Sequence, residues 1–172
     1  GRSFSRWLMS DDYFINDSYG NGAAMRISPL GWFATNQKDV KILSEAITGL
    51  SHHHPEGLKG AEVTAMLIFL ARKKKSKADL LAYAKSKYTL YKTYEDLRAS
   101  NQGHGLEICQ LSVPQALSAF FLTDSFEDCL RAIVYAGGDT DTTAAIACSI
   151  AEAYYGKSDP RLIAMASAGF NH

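Results

Sequence analysis

FEDCLRAIVYAGGDTDTTAAIACSIAEAYYG, residues 126–156, decides the fold. An apolar segment ending near Ala136 and a very apolar one beginning near Ala144 flank Gly137-Gly138-Asp139-Thr140-Asp141-Thr142-Thr143. Two helices therefore meet at a glycine-rich turn that carries two carboxylates. The paired glycines permit positive φ or a close backbone approach. Asp139, Asp141 and the Thr142 hydroxyl are hard oxygen donors of the kind magnesium takes, and residues two apart in a turn can converge on one ion. The alternative is that Asp139 or Thr140 caps the following helix. Spacing alone leaves both open.

Outward from this hairpin, the pattern stays helical. Val40, Leu43, Ala46, Ile47 and Leu50 recur at three and four within 39–50, which predicts a helix with those residues on one face. Pro55 suits the first turn of another helix, continued by the apolar stretch 61–71 to the basic end Lys73-Lys74-Lys75. Ser76 with Asp79 resembles a capping box and opens a helix to about Tyr88. Residues 91–112 lack clear period and are expected as loop. Helices are expected at 113–122, 125–136, 141–155 and 159–168, and no segment alternates like a strand. The fold class is all-α, in one domain over residues 1–172.

Two further segments carry chemistry. In Ser18-Tyr19-Gly20-Asn21-Gly22-Ala23-Ala24-Met25-Arg26, a glycine-bracketed turn precedes a helix-compatible stretch. Its backbone N–H groups and the Ser18 and Asn21 side chains could cradle phosphate or ribose oxygens; an ordinary Asn-Gly turn is the competing view. Met25 reads as core and Arg26 as a surface or structural ion-pairing group. In Ser51-His52-His53-His54-Pro55-Glu56-Gly57, adjacent histidines point in different directions and cannot all face one transition metal. A single imidazole at the helix start is better suited to hydrogen bonding a ligand. His104 reads as loop surface and His172 as a terminus.

Composition narrows the classes. Eighteen Lys plus Arg balance eighteen Asp plus Glu, so there is no strong nucleic-acid signal. Cys109, Cys129 and Cys148 are widely spaced without a CxxC pair, and read as reduced core thiols. No apolar run approaches a membrane span and no signal-peptide layout opens the chain. A cytoplasmic protein with no membrane partner is the expectation.

Taken together, SYGNGAAMRISPLGW (18–32), SHHHPEGLKGA (51–61), SVPQA (112–116) and the 126–156 hairpin resemble the ADP-ribosylglycohydrolase family. That family includes dinitrogenase-reductase-activating glycohydrolases and J1 crystallins. The resemblance covers nearly the whole chain. It implies an orthogonal multi-helix bundle holding two magnesium ions, with manganese as a substitute, and hydrolysis of a glycosidic bond to ADP-ribose in a modified protein or small molecule. It makes Asp139, Asp141 and Thr142 metal ligands. It makes Ser18, Tyr19, Gly20, Asn21 and Gly22 the loop around the phosphates and distal sugar, with Tyr19 against the adenine, and His52 a ligand contact. In this residue set the ions would hold the ribose hydroxyls and a water.

The chain departs from the family pattern at its start. Members begin with an additional helical segment bearing Thr-Asp-Asp-Thr and an acidic residue that helps activate water, and neither is found here; the catalytic acid is thus unassigned. Three ligands are few against about twelve coordination positions on two octahedral ions. Ser10-Asp11-Asp12-Tyr13 resembles the motif superficially, but Tyr13 replaces the last Thr and a solvated acidic turn is the alternative. The expectation is an N-terminally truncated member: a trimmed fragment, one completed by another chain, or a natural product without hydrolysis. Uncovered apolar surface would then lead to self-association or a complementing chain. A non-catalytic ADP-ribose or nucleotide binder and a crystallin-like structural protein are the alternatives to the enzyme.

Overall fold

The computed structural model describes residues 2–10, 16–101, 107–156 and 159–169, with side chains from Ser5 onward. The helices are α1 (Arg2–Leu8), α2 (Gly22–Met25), α3 (Ser28–Phe33), α4 (Gln37–Thr48), α5 (Pro55–Arg72), α6 (Lys77–Lys85), α7 (Tyr94–Ala99), α8 (Cys109–Phe121), α9 (Phe126–Ala136), α10 (Thr140–Tyr155) and α11 (Pro160–Ala168). Among the described residues no strand forms, and one isolated antiparallel bridge joins Gly20 to Ile108. The chain is an all-α orthogonal bundle.

At the centre lies α5. Pro55 occupies its first turn and the His54 ring caps it, accepting from the Glu56 N–H at 3.1 Å. Every residue from Val63 to Ala71 is buried, so the second half of this helix has neighbours on every side. It packs against α2, α3, α4, α6, α8 and α10. A second layer forms where α10 lies on α8 and α9. Ser76 and Asp79 form the expected reciprocal capping box at the start of α6.

Two expectations are corrected. The segment 91–112 holds α7 and the first turn of α8, not loop alone. The missed signal was Thr93, whose hydroxyl accepts from the Asp96 N–H at 3.0 Å and starts a helix too short to show a period. On α4 the predicted apolar face is not the buried one. Val40, Ser44 and Thr48 face inward, whereas Leu43, Ile47 and Leu50 are 42%, 53% and 60% exposed. The small ridge at i, i+4 and i+8 lets α4 approach α5 closely, and the bulkier side chains stay outside. Trp32 and Phe33 on α3 are also exposed, Phe33 to 82%. None of the described helices is long and apolar enough to cross a membrane.

Candidate functional site

The turn between α9 and α10 is built from its glycines. Gly137 and Gly138 take φ of 78° and 85°, which L side chains rarely adopt, and this reverses the chain within three residues. Asp139 follows at the N-cap position of α10, yet its carboxylate makes no capping hydrogen bond. The backbone carbonyl of Asp139 accepts from the Thr143 hydroxyl at 2.8 Å, while the side chain turns elsewhere. Asn21 Nδ2 donates to Asp139 Oδ2 at 2.6 Å, across 118 residues of sequence. The capping alternative for the Asp139 side chain is thus not what forms.

Asp139 and Asp141 are near enough to influence each other's titration, and the Thr142 N–H donates to Asp141 Oδ1 at 2.9 Å. Burial raises the Asp139 pKa, the Asn21 amide opposes this, and Asp141 raises it again. Asp141 lies lower than usual because a protonated Asp139 and the Thr142 N–H both favour its charged form. Two carboxyls pressed together favour a bound proton or a cation. No described Lys or Arg forms an ion pair with either. Thr142 is buried, and its hydroxyl donates to Met25 Sδ at 3.7 Å. Hard donors with no counter-charge among the described residues fit a divalent ion. Among the described residues, no three acidic, Cys or His side chains gather as a ligand group, so these aspartates remain a pair. The expected role of Asp11 and Asp12 lies outside the described residues, as do Tyr13, His104 and His172.

The Ser18 loop is clamped from three sides. Asn21 N–H donates to the Glu107 carbonyl at 2.8 Å and Cys109 N–H to the Tyr19 carbonyl at 3.0 Å. Gly20 N–H donates to Ser18 Oγ at 3.1 Å. Beneath, a Cβ on Gly57 would lie 2.8 Å from the Ser18 carbonyl oxygen, so only glycine lets the loop lie on α5. The expected phosphate cradle changes accordingly: the N–H groups of Gly20, Asn21 and Ala23 are already used within the protein. Recognition falls more heavily on the side chains. Tyr19 is half exposed and meets the His54 ring edge-on at 5.1 Å between centroids.

The three histidines diverge. His54 caps α5, while His53 lies by Gly49 and His52 is buried under the loop. His52 Nδ1 shares a hydrogen bond with Ser51 Oγ at 2.8 Å, and Nε2 lies beside Gly20 and Gly22. Burial, aided by the Arg26 charge, lowers its pKa from 6.5 to about 4. A base whose pKa is depressed on folding contributes nothing above its unfolded pKa, where it is neutral in both states, and destabilises the native state increasingly as pH falls from 6.5 towards 4. The penalty reaches about 3 kcal/mol. Denaturation at pH 7 and pH 4.5 should show this acid loss in the wild type and a smaller one in His52→Gln. Equal losses would refute the assignment.

Three contributors escaped sequence reasoning. Met25 meets Thr142. Glu107 holds the loop through a backbone carbonyl, and the Asn101 amide donates to the Ala136 carbonyl at 3.2 Å below the glycine turn. Backbone contacts leave no side-chain signature. A groove of about 400 Å³ between α9 and α11, lined by Leu130, Val134 and Leu162, contains none of the predicted site residues.

Comparisons with known proteins concern the chain's family and fold. The family model for ADP-ribosylglycohydrolase matches residues 2–161. ADP-ribosylhydrolase ARH3 of Bos taurus is 26% identical over 185 residues, covering 81% of this chain and 50% of that protein. The Homo sapiens ARH3 is also 26% identical, covering 81% and 51%. This chain thus spans about half the length of these curated relatives. A solved structure described as an ADP-ribosylglycohydrolase-related protein complex superposes with a TM-score of 0.70 at 29% identity, over 90% of this chain and 57% of that one. With a match over most of its length and the same fold, the chain belongs to the ADP-ribosylglycohydrolase family.

Proposed function

We propose that this chain supplies the ADP-ribose-binding loop and one carboxylate arm of a magnesium-dependent ADP-ribosyl hydrolase site. The observation that carries the reading is the Asn21–Asp139 hydrogen bond, which joins the loop to the acidic turn. Family membership and the ARH3 relatives support the reaction class. Asp139, Asp141 and Thr142 would hold the cation, magnesium or manganese. When bound, such ions would polarise the ribose hydroxyls and a water beside the glycosidic bond.

The chain's own residues then bind and orient. Asn21 fixes the Asp139 carboxylate, while Asp141 raises the proton affinity of the pair until the charge is met. Neutral His52, hydrogen-bonded to Ser51 through Nδ1, turns Nε2 towards the loop and ligand. Ser18, Gly20 and Gly22 leave the bend narrow enough for a phosphate to come close, and half-exposed Tyr19 offers a face for the adenine. The exposed side chains of Trp32, Phe33, Leu43 and Ile47 would be covered by a second copy or a complementing chain; a monodisperse monomer in sedimentation would remove that part of the reading.

Binding and turnover are separable tests. Calorimetry should show ADP-ribose binding that is strengthened by Mg²⁺ and weakened by chelator. Release of ADP-ribose from modified protein should share that dependence. Release that ignores chelator would refute the mechanism, and binding without turnover would make this chain a non-catalytic binder. Absence of both Mg²⁺ and ADP-ribose binding would favour a structural, crystallin-like role.

A further inference from the structure

Asn21 holds the far end of the acidic turn, and a second asparagine holds its near end. Asn101, the residue after the α7 C-cap Ser100, donates through Nδ2 to the carbonyl of Ala136, the last residue of α9, at 3.2 Å. That nitrogen would lie 2.8 Å from a Cβ on Gly137, so the amide occupies space that any side chain at 137 would need. The two contacts bracket the turn: Asn101 acts at the residue before Gly137, and Asn21 at the residue after Gly138. Between them the chain runs through two glycines at φ of 78° and 85°. Glycine has the widest range of backbone conformations, so these two residues alone do not fix where the carboxylates point. What grips the ends sets their direction.

Asn101 is itself anchored. Leu97 on α7 is fully buried, and the Ser100 hydroxyl donates to the Leu97 carbonyl at 2.6 Å while accepting from Gln115 Nε2 at 3.3 Å. Gln115 on α8 is 1% exposed, which leaves its side chain little freedom. Arg98 lies 4.9 Å over the Tyr135 ring of α9, and the Tyr94 ring meets Tyr135 edge-on at 6.4 Å. Six residues are too few for a helix that stands alone, and these side chains hold α7 in place. It is a short strut from the core helix α8 to the end of α9, with an amide at its tip.

We propose that Asn101 is a positioning residue: through the Ala136 carbonyl it aims the Gly137–Gly138 turn so that Asp139 meets Asn21 and both aspartates face the proposed cation. The inference rests on the reading of Asp139 and Asp141 given above. The position requires a donor. The Ala136 carbonyl is among the unpaired acceptors at the negative end of the α9 dipole, where an N–H is favoured and a carboxylate repelled. Asn101 acts on the turn and not on the substrate itself.

The test follows the Asn21 side-chain amide by NMR in the whole chain, with neither Mg²⁺ nor ADP-ribose present. Asp139→Ala gives the position of this resonance when its acceptor is gone. Asn101→Ala and Asn101→Asp should both move it towards that position, with Tm lowered by about 2–4 °C, the size of one net hydrogen bond. Asp keeps the shape of Asn and loses the donor, so a space-filling role would leave Asn101→Asp like the wild type. Ser100→Ala, which releases α7 from Gln115 but keeps the Asn101 amide, should move the resonance less. In the Mg²⁺-dependent release assay the Asn101 variants should lose about tenfold in kcat with ADP-ribose affinity within about twofold, because a displaced turn misplaces the carboxylates and not the Ser18 loop. A wild type without such turnover would end the hydrolase reading and leave the resonance to decide this one. An unmoved resonance in both Asn101 variants, wild-type behaviour of Asn101→Asp, or a larger movement in Ser100→Ala than in Asn101→Ala would each overturn the proposal. So would an unchanged kcat in a variant whose resonance has moved.

Discussion

Asp139→Ala is expected to lower Mg²⁺-dependent release of ADP-ribose by about 10²–10³-fold, the scale seen when a preorganised electrostatic group is removed. Two roles end together in this variant. The proposed cation loses a carboxylate ligand, and the Asn21 amide loses its 2.6 Å acceptor. Asp139→Asn separates them, because the amide oxygen can still accept from Asn21 while the charge is gone. If the charge is what the site needs, Asn should be nearly as inactive as Ala, yet it should bind ADP-ribose more tightly than Ala without Mg²⁺. Asp141→Ala should also impair turnover and, by removing the neighbouring carboxyl, bring the Asp139 pKa down. Full activity in Asp139→Asn would end the metal assignment, since a neutral amide is a poor ligand for a hard divalent ion.

Phe120→Ala has the largest expected effect on stability, about 3–5 kcal/mol. Phe120 is fully buried on α8, with ring centroids 4.9 Å from Phe121, 5.8 Å from Tyr154 and 6.0 Å from Tyr155. Lys77 lies 5.5 Å over the ring and donates to the Tyr155 hydroxyl at 3.0 Å. Deleting the ring opens a cavity that these anchored neighbours cannot close. In a chain of this size the loss lowers Tm by roughly 6–20 °C. Urea unfolding reads it as a lower midpoint at unchanged slope. The cluster involves the α10 end opposite the Asp139 turn, so ADP-ribose affinity of the folded variant at low temperature should stay within about twofold of wild type. A shift in midpoint worth under about 1 kcal/mol would mean that the aromatic cluster does not anchor α8 on α10.

Sequence alone determined the local events. The Ser76–Asp79 capping box, Pro55 in the first turn of α5, and the glycine break between α9 and α10 are each decided within a few residues, and each occurs as expected. The family motifs are equally local, and they placed the chain before any geometry was known. Side-chain direction was less legible. The period of α4 was right, but burial fell on Val40, Ser44 and Thr48 because helix approach rewards small residues more than apolar ones. In α7 a four-residue capping signal was present without enough length to show a period.

What only the tertiary structure decided is the meeting of residues 21 and 139. No spacing rule connects positions 118 apart; α2 and α10 come together because both pack on α5. The same packing turned Asp139 from a capping residue into an acceptor for Asn21, and buried His52 until its imidazole stays neutral. Helix starts and stops are fixed by bonds within one turn of chain, whereas a site is fixed by burial, which depends on every helix at once.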